Sequence, residues 1–168
     1  MADAGPHGDF TREIELLIKS HYAIILVETV EEARVETLLE HVADRLGLNF
    51  FRWQPSKGLH RPGSENFVYG TRQLAGALAH IDATRSPGVF HLQGTGDLLG
   101  DTAVRAGLTT VARALSASES AVVLTGMHLV LPAAAGAHAA ALALPPPDRE
   151  EFKQLLLAVY RDVARRMP

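Results

Sequence analysis

Apolar positions along the chain alternate between two kinds of spacing. Ala23–Val27 is a continuous run rich in β-branched residues, as expected of a strand buried on both faces of a parallel sheet. Val35, Leu38, Leu39, Val42 and Leu46 then recur at helical spacing, and Gly47 is placed to end that helix. The pattern repeats. Asn49–Trp53, Gly88–Leu92 and Ala121–Leu124 read as further strands, and Ala139–Leu144 as a short fifth. Between them lie the helical stripes Leu74, Ala77, Leu78, Ile81 and Val104, Leu108, Val111, Leu115. A last stripe contains Phe152, Leu155, Leu156, Val159 and Val163. At the other end, a polar leader over 1–9 precedes a helical pattern opened by Thr11, with Ile14, Leu17 and Ile18 on one side. Ser56–Glu65, with Gly58, Pro62 and Gly63, reads as an exposed loop, and Pro132–Ala143 is alanine-rich, suiting helix or loop as well as the approach to a strand.

Strands alternating with helices predict one α/β domain over 1–168: an open, mostly parallel five-stranded sheet with helices on both faces. Composition narrows the function. No apolar run approaches the roughly 18 residues that span a bilayer. The start MADAGPHGDF has no signal-peptide character, so a cytoplasmic location is expected. Zero cysteines exclude disulfides and thiolate metal sites, and a net charge of -3 lacks the basic footprint of nucleic-acid binding. The eight histidines form no H-x-H or H-x-x-x-H pair, so no metal site is expected, and the absence of G-x-S-x-G argues against a serine hydrolase.

The turn after the first strand sits where a phosphate-binding loop would, yet it reads Thr29-Val30-Glu31-Glu32, without glycine or lysine. The spacing matches an S/T-x-x-E capping box, in which Thr29 and Glu32 would satisfy each other's backbone N–H groups. A carboxylate about 6 Å from a phosphate would repel each unit of its charge by roughly 3 kcal/mol at an effective dielectric of about 20. Gly94-Thr95-Gly96-Asp97-Leu98-Leu99-Gly100 follows a strand and precedes a helix, but it is one residue longer than the dinucleotide fingerprint and follows the third strand. It reads as a flexible loop at the sheet's carboxyl edge.

The stretches EIELLIKSHYAIILVETVEEARVETLLEHVADRLG, FFRWQPSKGL, PGVFHLQGTGDLL, VVLTG and LPPPDREEF together resemble the N-terminal domain of AAA-type ATPases related to uncharacterised open-reading-frame proteins of chloroplast and cyanobacterial genomes. The first carries a T-x-E-E-x-R signature. The resemblance implies a degenerate, P-loop NTPase-like AAA module whose lid is incomplete, with any ATP hydrolysis in a module further along the chain. Carried over, the Walker B position falls on Gln93 and Gly94, where a magnesium-binding Asp is wanted, and Asp97 is displaced by three residues. Thr125 takes a sensor-like place. These losses predict no catalytic residue and no cofactor. The function expected is a pseudo-ATPase domain that binds a protein partner, a downstream AAA module or a second copy. Leu155, Leu156 and Leu157 are its candidate surface, because three successive helical positions spread over about 200°, more than one sheet face covers. The alternative is a small nucleotide- or cofactor-binding enzyme, using ATP and magnesium, whose site at the carboxyl edge is flanked by Gly94–Gly100 and Ser56–Glu65.

Overall fold

The computed structural model describes residues 6–166. In chain order it contains α1 (Pro6–Lys19), β1 (Ile24–Glu28), α2 (Glu32–Leu46), β2 (Asn49–Gln54), β3 (Gly58–His60), α3 (Leu74–Thr84) and β4 (Gly88–Leu92). These are followed by α4 (Thr102–Leu115), β5 (Ala121–Gly126), α5 (Ala133–Gly136), β6 (Ala139–Leu142) and α6 (Arg149–Arg166). The strands form one sheet in the order β3-β2-β4-β5-β1-β6. All neighbours run parallel except β3, which is antiparallel to β2.

The alternation along the central strands explains the layers. Ile24, Val122, Phe90 and Leu124 point into a core shared with α3 and α4, containing Leu78, Leu108 and Val111. Their neighbours Ile25, Val27, Val123 and Val89 point the other way, onto Ile14 and Ile18 of α1 and Val35, Leu39 and Val42 of α2. Both faces are therefore covered, which is why β1, β4 and β5 can be apolar along most of their length. Each fully buried leucine or isoleucine contributes roughly 1.5–3 kcal/mol by leaving water. Gly47 closes α2 in the left-handed conformation at φ 67°, its N–H bonded to the carbonyls of Ala43 and Asp44.

Two sequence expectations are corrected, and one left open is resolved. Five parallel strands are present, but a sixth, β3, forms inside the stretch read as an exposed loop; Gly58, Leu59 and His60 are all buried. Its pairing with β2 and the Leu59 side chain's place in the core supply what three residues lack in strand propensity. The first helix begins at Pro6, not Thr11, within the stretch expected as a leader, and residues 1–5 of that stretch lie outside the described residues. Proline suits a first helical turn, where its missing N–H costs nothing. The alanine-rich stretch divides into the short helix α5 and strand β6.

Candidate functional site

The carboxyl ends of β1, β4 and β5 border a cleft of about 320 Å³. Thr29, Val30 and Glu32 line one side, Gly94, Gly96 and Asp97 another, and Gly126, Met127 and His128 close it. The structure thus brings the Thr29–Glu32 turn and the Gly94 loop together, while Ser56–Glu65 lies toward the far edge of the sheet and does not line the cleft.

The predicted capping box is not formed. The residue before α2 is Glu31, and it makes no side-chain cap bond. The Thr29 hydroxyl accepts from the N–H of Glu31 at 3.0 Å, a local turn, and the N–H of Thr29 donates to the carbonyl of Gly126 at 3.0 Å. Glu32 turns away from its own helix, and its Oε1 accepts from the N–H of Gly94 at 2.9 Å. The tertiary bond wins because Gly94, at φ 63°, aims its N–H across the cleft. Burial raises the Glu32 pKa above the ordinary carboxylate value, and the Gly94 bond partly offsets this. On the other flank, Glu28 Oε1 accepts from the N–H of His128 at 3.1 Å.

The T-x-E-E-x-R signature has a structural account. Thr29 forms the turn and Glu32 bridges to the β4 loop. Glu31 and Glu151 both pair with Arg34, at 3.4 and 2.8 Å, and Arg34 also donates to the carbonyl of Pro145 at 2.6 Å. Arg34 therefore fastens the start of α6 to α2 while its own side chain is 8% exposed.

The Gly94–Gly100 loop is tied down, against the expectation of a flexible one. Both the N–H and the hydroxyl of Thr95 donate to the carbonyl of Thr125 at 3.1 Å. A Cβ on Gly96 would lie 1.8 Å from the carbonyl oxygen of Met127, so only glycine permits this approach. Asp101 then caps α4, accepting from the N–H of Val104 at 3.0 Å.

At the Walker B position the Gln93 carboxamide accepts from Gln54 at 2.8 Å and donates to Glu36 Oε2 at 2.5 Å. Thr125, the sensor-like residue, is fully buried and its hydroxyl lies 2.9 Å from His91 Nε2, away from the cleft lining. These residues belong to a polar network that sequence reasoning missed. Glu36 of α2 bonds Arg52 of β2 at 2.6 Å, and Arg52 donates to His60 Nε2 at 3.1 Å. His91 sits beneath Glu36, 3.8 Å from Nδ1 to the carboxylate. Burial, and then the Arg52 charge, lowers the His91 pKa to about 3. Burial likewise lowers the His60 pKa, opposed by its bond to the Gly58 carbonyl, and raises that of Glu40 with help from Glu36. The available signal was Arg52 and His91 inside otherwise apolar strands.

Among the described residues no three His, Asp or Glu side chains gather as metal ligands, and no helix is long and apolar enough to cross a membrane. Leu155, Leu156 and Leu157 lie on α6, each about half exposed, remote from the cleft lining.

The model of the SpoVK-like AAA ATPase N-terminal domain family matches residues 10–144. The chain belongs to this family. Two relatives are uncharacterised AAA domain-containing ycf46 proteins. That of Trieres chinensis is 27% identical over 125 residues, covering 73% of this chain and 25% of the relative. That of Guillardia theta is 25% identical over 162 residues, covering 95% and 32%. The chain thus spans a quarter to a third of the length of the curated relatives it matches. Among solved structures, PCH-2 of C. elegans superposes with a TM-score of 0.57 at 14% identity, covering 98% of this chain and 49% of that one, a likeness of fold alone. The α/β architecture is that of the AAA and P-loop ATPases, as the family expectation held.

Proposed function

We propose that this AAA-family N-terminal domain is a pseudo-ATPase module that binds protein in place of nucleotide. Any hydrolysis would then lie in a further AAA module of a longer chain. The observation that carries the reading is the Glu32–Gly94 bond, with a carboxylate of the chain itself on the amide that faces the phosphate-loop position. Glu28 holds the His128 amide in the same way. A phosphate entering here has to displace a charge-assisted hydrogen bond worth roughly 1.5–3 kcal/mol for each amide it gains. The cleft lining adds Asp97 and, among the described residues, offers no lysine or arginine. Gly94 and Gln93 supply no carboxylate for magnesium, and Thr125 is engaged with His91.

The enzyme alternative loses one of its two flanks, since Ser56–Glu65 stands away from the cleft. Calorimetric titration with ATP, with and without magnesium, tests the proposal. A flat titration and an unmoved melting temperature are expected, whereas a ligand at about 100 times its Kd would stabilise the fold by about 2.7 kcal/mol. Magnesium-dependent binding at micromolar affinity refutes it.

A further inference from the structure

α6 is joined to the rest of the domain more by charge than by packing. None of its residues is buried, and on the side turned to α2 Gln154, Leu155 and Ala158 border a hollow of about 340 Å³ shared with Ala33, Arg34 and Thr37. A helix seated by apolar contact fills such a space with its own side chains. What grips this one is Arg34. Its Nε donates to Glu151 Oε1 at 2.8 Å and its Nη2 to the Pro145 carbonyl at 2.6 Å, so one guanidinium holds both the first turn of α6 and the segment leading to it. Water is largely kept from these bonds, with the Arg34 side chain 8% exposed and that of Glu151 26%.

Two features make the grip reversible. First, the arm is self-contained. The Glu151 N–H donates to Asp148 Oδ1 at 2.8 Å, which caps α6 from within its own segment, and Asp162 pairs with Arg166 at 2.9 Å near its far end. Helix and cap therefore leave α2 together. Pro145, Pro146 and Pro147 connect this unit to β6, and having no N–H groups they add no amide hydrogen bonds to fix it; the run is a stiff spacer that pivots about its ends.

Second, Arg34 has another carboxylate at hand. Glu31 Oε2 lies 3.4 Å from Arg34 Nη1, three residues back along the chain. Losing one partner of a buried pair is costly for the charge left behind. Here that cost is reduced, because the long contact to Glu31 can close once Glu151 departs.

We propose that α6 is a latched arm: it docks on α2 while Arg34 holds Glu151, and it swings free about the Pro145–Pro147 segment when Arg34 turns to Glu31. One arginine thus chooses between two carboxylates, and the choice sets the direction of an 18-residue helix. The free state releases the Ala33 and Thr37 side of α2 together with Leu155 and Ala158 of α6. The device is independent of whether the cleft takes nucleotide.

The chain has no cysteine, so a pair introduced at His41 on α2 and Arg161 on α6, both exposed, carries spin labels at those two places alone. Double electron–electron resonance on the whole chain then reads the α2–α6 distance. The parent should give one dominant, narrow distance. Glu151→Gln keeps the size of the side chain and removes its charge, and it should lower the ratio of docked to free arms about ten-fold, the difference between a charged and a neutral hydrogen bond. A second, broad band should appear. The melting temperature should stay that of the parent, because the arm buries nothing.

Adding Glu31→Gln to that variant removes the alternative partner and should return the ratio toward docked. Glu150→Gln, a neighbouring charge that does not meet Arg34, should leave the parental distance unchanged. The proposal is overturned by a parent that shows only the broad band, by a distance that ignores Glu151→Gln, or by an equal response to Glu150→Gln. Further release in place of recovery on adding Glu31→Gln also overturns it. ATP binding in the calorimeter would overturn the pseudo-ATPase reading and leave these distances as they are.

Discussion

Acidification should destabilise this domain through His91. The imidazole is fully buried, bonded to Thr125 at 2.9 Å, with Arg52 nearby, and its pKa falls to about 3 from an ordinary 6.5. Between those values the unfolded chain binds a proton that the folded chain refuses. Stability from this group is therefore complete above the unfolded pKa and drains away as pH drops from 6.5 toward about 3. At about 1.4 kcal/mol per pH unit, lowering the pH from about 7 to about 5 removes on the order of 2 kcal/mol. Glu32 and Glu40, whose pKa values burial raises, contribute their own pH dependence, so the measurement compares the parent with His91→Gln. Glutamine keeps a polar group near Thr125 but does not titrate. Urea unfolding at a series of pH values gives stability for each, and the parent curve should fall more steeply toward acid by about 2 kcal/mol over this interval. Parallel curves would mean that the folded protein accepts the proton at an ordinary pKa, and the account of the buried network would be wrong.

Three further expectations concern the loops around the cleft. Gly96→Ala should cost about 1–3 kcal/mol in urea unfolding, because its Cβ has to push back the Met127 carbonyl; an unchanged midpoint would refute the close approach. Asp101→Ala should cost about 1 kcal/mol as the loss of a true helix cap. Thr29→Ala, which removes only a turn bond to the Glu31 N–H, should cost less than Asp101→Ala; equal losses in thermal denaturation would restore a capping role to Thr29.

Much of the architecture is written in local periodicity. Gly88–Leu92 is a strand with the bounds its apolar run predicts, and the Val35–Leu46 stripe is the buried face of α2, because both patterns are imposed by the layers they touch. What escaped the sequence was decided by distant partners. Gly58-Leu59-His60 carries loop-forming neighbours, and only β2 alongside makes it a strand. Thr29 and Glu32 have capping-box spacing, but Gly126 takes the Thr29 N–H as donor and Gly94 takes the Glu32 carboxylate as acceptor. The coming together of Glu36, Arg52, His91 and Thr125 spans four elements, so no single window of sequence contains it.

The sheet's margins limit how copies of the domain can associate. One border strand, β3, has three residues and runs against its neighbour, and the other, β6, has four. The outer edge of β3 is already taken, since the Leu59 N–H donates to the Thr71 hydroxyl and the Leu59 carbonyl accepts from the Val68 N–H, and β6 offers so short a ladder that strand-to-strand addition gains few hydrogen bonds. Continuing the sheet from molecule to molecule is thus a poor route to assembly, and the helical layers outside it are left as the surface through which this domain can build anything larger.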